Sequence, residues 1–134
     1  MNYTIYIQEK KTDSFLKDNM KEFAKRLNRY CKIQIVQLKK EQDIEKQKIR
    51  AGKNVKIVEQ KSTVSSEEFA LYIQNMELHG ISNCNFFLQC SPNTLEYEEF
   101  AISQFAISPG LLGAILCEQI YRGYRIIHGQ PYHK

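Results

Sequence analysis

Short runs with the period of a β-strand alternate with longer segments of helical period along the whole chain, and this alternation most constrains its fold. Tyr3, Ile5 and Ile7 alternate with polar residues, as in a strand. Asp13 can cap a following helix, in which Phe15, Leu16, Met20, Phe23, Leu27 and Tyr30 form one apolar face. Cys31 to Leu38 reads as a second strand and Asn54 to Glu59 as a third. Between them, Lys39 to Arg50 is almost all charge, with Ile44 and Ile49 its only large apolar residues. That segment reads as a solvated helix or loose connection. A basic arm for a nucleic acid is the alternative, diluted by Glu41, Asp43 and Glu45.

Ser65 and Glu68 have the spacing of a capping box. Phe69, Ile73 and Met76 then mark a helix that Gly80 can end. Asn85 to Cys90 is a short apolar fourth strand, followed by the turn Ser91-Pro92-Asn93. Thr94 to Ala101 reads as a short acidic helix and Phe105 to Ile107 as a brief fifth strand. Ser108 caps the last helix, Pro109 suits its first position, and Gly129 ends it. From Pro109 to His128 such a helix spans about 30 Å. Glu118 precedes Arg122 by one turn, the favourable order for an ion pair. The expected fold is α/β, a mostly parallel sheet with helices on both faces. Ligands in such sheets sit beyond the carboxyl ends of strands, which points to the loops after Glu59, Cys90 and Ile107.

At 134 residues the chain is one domain, residues 1–134, and a flat exposed face would favour dimerisation. A net charge of +4 is compatible with a polyanionic partner only if the basic residues cluster. Cys31, Cys84, Cys90 and Cys117 form no CxxC pair, so no metal site is expected. No apolar run approaches a membrane span, and the N-terminus shows no signal peptide. A cytoplasmic protein with reduced thiols is the expectation.

The C-terminal run LLGAILCEQIYRGYRIIHGQPYHK resembles the ribosomal RNA large-subunit methyltransferase H family, small SPOUT-class enzymes. Glu118-Gln119-Ile120-Tyr121-Arg122, Gly129 and the closing Tyr132-His133-Lys134 carry the resemblance, and KSTVSSEEFA from Lys61 to Ala70 adds to it. The resemblance implies an α/β fold with a C-terminal trefoil knot and a homodimer. It further implies transfer of a methyl group from S-adenosylmethionine to a pseudouridine of large-subunit ribosomal RNA. By position, Ile57, Cys90 and the stretch Ser103-Gln104-Phe105-Ala106-Ile107-Ser108 would border the methyl donor. Tyr132 would stack on a base, His133 could accept a proton, and Lys134, Arg122 and Arg125 would meet RNA. A frayed polar tail is the bland reading of the last three residues, and simple core that of Phe105 and Ile107.

The chain departs from the family at three places. Where the family has a glycine-rich loop, Gln89, Cys90, Ser91, Pro92 and Asn93 stand here. The segment from Leu95 to Ser103 is shorter than usual. Gly113 stands near the place of a family arginine. The rival readings are therefore an inactive paralogue that binds RNA or the ribosome, and a dimeric interaction scaffold.

Overall fold

The computed structural model describes residues 1–60 and 62–132. The expectations placed on Lys61, His133 and Lys134 fall outside them. Among the described residues, five strands form one sheet in the order β2-β1-β4-β3-β5, and every pairing is parallel. These are β1 (Asn2–Gln8), β2 (Lys32–Leu38), β3 (Lys53–Val58), β4 (Asn83–Leu88) and β5 (Glu98–Ala101). Three α-helices, α1 (Ser14–Leu27), α2 (Ser66–Leu78) and α3 (Pro109–Ile127), pack with α3 in the middle.

Strand alternation divides the core. Tyr3, Ile5 and Ile7 of β1 and Cys84, Phe86 and Leu88 of β4 face the three α-helices. Tyr6 and Phe87 point the other way and stack at 5.3 Å. They are covered by Leu38, Cys90 and Ile44 of a 3-10 helix, Glu41–Lys46. Helices thus lie on both faces, but unequally. The charged segment expected to be solvated holds Ile44 at 4% exposure, because a sheet face without an α-helix must bury its apolar side chains some other way.

The Ser65–Glu68 capping box forms as expected: Glu68 N donates to Ser65 Oγ at 3.0 Å, and Ser65 N to Glu68 Oε1 at 2.9 Å. Asp13 and Ser108 occupy the N-cap positions of α1 and α3, yet neither side chain makes a capping bond. Gly80 and Gly129 follow α2 and α3 with φ of +72° and +63°, the left-handed region open to glycine. Gly113 serves close packing instead. A Cβ there would lie 2.7 Å from Ile7 Cδ1 and 3.1 Å from Met20 Sδ, so its missing side chain lets α3 press against β1.

Two expectations are corrected. The segment expected to form an acidic helix over Thr94 to Ala101 contains β5 instead, and Phe105 to Ile107 is no strand. Only residues 89–97 connect β4 to β5, fewer than the dozen or more that a parallel crossover usually takes. That connection leaves no length for a helix, and β5 occupies the edge of β3. Lys53 Nζ meets Glu98 Oε1 across this pair at 2.7 Å. With β3's edge taken, Phe105 is left 82% exposed in the run to α3, not in the core.

Candidate functional site

A narrow cleft lies at the carboxyl ends of β3 and β4. Ile57 and Val58 line it from β3, Glu59 from just beyond it, Gln89 from the turn after β4, Ile102, Ser103, Phe105 and Ile107 from the approach to α3, and Leu112 from α3 itself. Its free volume is about 20 Å³, which is room for a single water molecule. Four of the residues placed here by position, Ile57, Ser103, Phe105 and Ile107, meet in this one cleft. Gln104, Ala106 and Ser108 belong to the same segment but are exposed and do not line it. Ser103 Oγ accepts from Phe105 N at 2.9 Å and shapes the turn between them.

Cys90 is the residue the structure puts elsewhere. Gln89 has φ of +62°, which breaks the alternation begun by Phe87 and Leu88. Cys90 therefore falls on the Phe87 side of the sheet, with its Sγ 3.7 Å from Tyr6 O. It lines a polar groove with Glu41, Glu45 and Lys56 rather than the cleft. Burial raises its thiol to about 11, so it is protonated at neutral pH and is no nucleophile. Val58, Glu59, Gln89, Ile102 and Leu112 are the lining residues that sequence reasoning missed. The only signal was that the loop's first position matches a family glycine.

A glutamine in left-handed backbone is strained by roughly 1–2 kcal/mol, while glycine has about 0.5–1 kcal/mol more entropy to lose on folding. Gln89→Gly is thus expected to stabilise the protein by up to about 1 kcal/mol, seen as a higher urea midpoint. A lower midpoint would show that the Gln89 side chain contributes more than its conformation costs.

The C-terminal segment is held at the other end of α3. The Tyr132 hydroxyl donates to Glu118 Oε2 at 3.0 Å, and the same oxygen receives Arg122 at 3.0 Å. The Arg122 guanidinium lies over the Tyr132 ring at 5.0 Å, and Tyr121 meets that ring edge-on at 4.9 Å. Burial first, and then the bond to Glu118, raise the Tyr132 hydroxyl above its ordinary value, so it acts as a neutral donor. Arg125 donates to Gln130 Oε1 at 3.0 Å and to Pro131 O at 3.1 Å. Its guanidinium therefore holds the tail. Tyr30 also donates to Gln130 Oε1. Tyr132 is an anchored residue, not a frayed one.

Around this tail the basic residues cluster with aromatic rings. Arg26 lies over Phe23, Arg29 over Tyr30, and Arg125 over Tyr121. With Arg122, these are four of the chain's five arginines. Interleaved cations and rings suit a phosphate backbone and exposed bases.

Among the described residues, no three His, Cys, Asp or Glu gather as a metal site, and no helix is long and apolar enough to cross a membrane.

The sequence that builds this parallel α/β sheet and its cleft matches the family described as "Predicted SPOUT methyltransferase" over residues 1–133. A Thermoanaerobacter protein named ribosomal RNA large subunit methyltransferase H 1 is 37% identical over 134 residues, all of both chains. The Clostridium beijerinckii protein named ribosomal RNA large subunit methyltransferase H is 35% identical over 159 aligned positions, again covering both chains entirely. A Methanococcus maripaludis relative, named a putative member, is 33% identical over the same span. The chain belongs to the SPOUT methyltransferases, as a divergent member of the ribosomal RNA large-subunit methyltransferase H family.

Proposed function

We propose that this protein methylates a pseudouridine of large-subunit ribosomal RNA, with S-adenosylmethionine as donor, and works as a homodimer in the cytoplasm. The carrying observation is that Ile57, Ser103, Phe105 and Ile107 converge on one cleft at the carboxyl ends of the strands. The chemistry of the cleft fits the donor. Ile57, Ile102, Ile107 and Leu112 offer apolar walls for a purine, and Glu59 offers a carboxylate to a positive charge. Its size fits only after the approach to α3 moves outward, and the exposed Phe105 is the side chain placed to close again. S-adenosylmethionine supplies an electrophilic methyl group on a sulfonium. The protein's own part is to exclude water and hold the acceptor in line. Tyr132, Arg122 and the neighbouring arginines hold the RNA, while Arg125 orients the tail that carries Tyr132. His133 and Lys134 follow Tyr132 in the sequence, and we assign His133 to take a proton and Lys134 to meet the RNA backbone.

Family membership supports the knot. The homodimer reading rests on an apolar groove between α1 and α3. Phe15 and Leu111, exposed by 67% and 43%, border it beside Ala114 and Glu118.

Calorimetry with S-adenosylmethionine is expected to show micromolar binding, and sedimentation a mass twice the 15.8 kDa chain. Methyl transfer to large subunits from a strain lacking the endogenous enzyme then tests the reaction. No binding at millimolar donor would sink the enzyme reading. It would leave the inactive RNA-binding paralogue, which the narrowness of the cleft and the non-glycine Gln89 favour. A monomer in sedimentation would remove the homodimer.

A further inference from the structure

Beside the narrow cleft lies a second cavity of about 250 Å³, to which the resemblance assigns no residue. Ile57 and Ile102 belong to both, so the two spaces share a wall. The second cavity is walled by Phe69 of α2, Phe100 of β5 and Leu116 of α3, with Ser66 and Gln119 as polar members. Ser66 Oγ donates to Gln119 Oε1 at 2.6 Å, and Gln119 Nε2 donates to Glu118 Oε1 at 2.8 Å. Glu118 in turn accepts from Tyr132. A continuous hydrogen-bonded chain therefore runs from this cavity to the anchored tail.

We infer that this cavity receives the acceptor base, a pyrimidine with an imide edge, turned out of its RNA stack. The inference rests on the functional reading above. Three observations meet here. The cavity adjoins the cleft through Ile57 and Ile102, so a base within it would lie against the space assigned to the donor. It is mostly apolar with few polar groups, the usual character of a pocket that orients a small planar ligand. Its volume is below the roughly 300–1,000 Å³ of pockets for larger ligands, which suits one base and not a whole donor molecule.

Gln119 and Ser66 give the cavity its specificity. A primary amide has two N–H groups and two acceptor lone pairs, and the bonds to Ser66 and Glu118 use one of each. The remaining N–H and lone pair form an adjacent donor and acceptor. An imide edge presents the complementary carbonyl and N–H. An edge that offers only acceptors leaves the amide's lone pair unpaired and is disfavoured, because a buried polar group left unpaired is costly. Base-modifying enzymes pay unstacking for such access to the base, and an anchored aromatic tail beside the cavity offers a surface for the flanking nucleotides.

The test combines calorimetry with the donor and methyl-transfer kinetics on large ribosomal subunits from a strain lacking the endogenous enzyme. Gln119→Met keeps the length of the side chain and removes the amide. Val64→Phe adds bulk at the cavity lining without touching the Gln119 pair, and Ser66→Ala is the mildest change. The expected result for Gln119→Met and Val64→Phe is a kcat/KM for the subunit lowered about tenfold or more. Donor Kd stays within about twofold and the melting temperature is unchanged. Ser66→Ala moves the same way by a smaller factor. Wild-type transfer by all three variants, with donor affinity intact, would overturn the base pocket and leave the functional reading standing. A parallel loss of donor affinity would reassign the cavity to the donor and overturn the inference. A wild-type protein that neither binds donor nor transfers a methyl group would overturn both.

Discussion

Tyr132→Ala is expected to lower methyl transfer to large subunits by about 100-fold or more while leaving donor affinity within about twofold. Tyr132 touches Glu118, Tyr121 and Arg122, whereas the donor cleft reaches α3 only at Leu112. Six to ten residues along a helix correspond to about 9–15 Å, too far for Tyr132 to support the donor pocket of its own chain. What the alanine removes is a stacking surface, worth about 1–3 kcal/mol per base, together with the bond that fixes the tail to Glu118. At about 1.4 kcal/mol per factor of ten, these losses reach the stated size. Tyr132→Phe separates the two contributions, because it keeps the ring and loses only the bond to Glu118. Its activity should fall between the other two. Because the Tyr132 hydroxyl titrates above its ordinary value, it stays protonated through neutral pH. The pH profile below that range should therefore show no step from it. Unchanged transfer by the alanine variant would take the tail out of the reaction.

The second large effect concerns stability. Phe86→Ala should cost about 3–5 kcal/mol, seen as a melting temperature lower by roughly 10–25 °C. Phe86 is fully buried on β4, the middle strand of the sheet. It lies 6.2 Å from Tyr3 of β1 and 6.2 Å from Phe69 of α2, so one ring joins two strands and a helix. Removing it opens a cavity where neighbours on both sides are held by hydrogen-bonded strands and cannot collapse inward. Leu78→Ala is the natural control, since Leu78 is 75% exposed and its loss empties no core. A drop for Phe86→Ala of less than about 1 kcal/mol would contradict the packing described for the helical face.

The inferred base pocket and the tail are linked through Glu118, which accepts from Tyr132 with one oxygen and from Gln119 with the other. Variants at Tyr132 and Gln119 should therefore not combine additively, as residues of one hydrogen-bonded network rarely do.

Much of the fold was legible because its signals are local. The Ser65–Glu68 capping box, the Pro109 start, the Gly80 and Gly129 stops and the apolar periods of β1, β4, α2 and α3 each involve residues within a few positions of one another. Such signals act through backbone geometry and side-chain period, which the order of residues determines directly. Family membership was legible for a similar reason, since it lay in one contiguous run of residues, Ile107 to Lys134.

The tertiary structure decided what depends on distant partners. Glu98 to Ala101 read as part of an acidic helix, and became a strand because the edge of β3 offered hydrogen bonds and Lys53 a counter-charge to Glu98. Cys90 was assigned to the donor by its place in the loop, and one left-handed residue, Gln89, turned it to the opposite face. Ser66 and Gln119 stand 53 positions apart, and nothing local to either announces that they share a cavity. By itself the sequence determined β1 to β4, the three α-helices, their order and the family. Which side chains meet in the cleft, the second cavity and the tail clamp was decided only when long-range packing brought separate elements together, because side-chain chemistry at a site depends on distance in space and not along the chain.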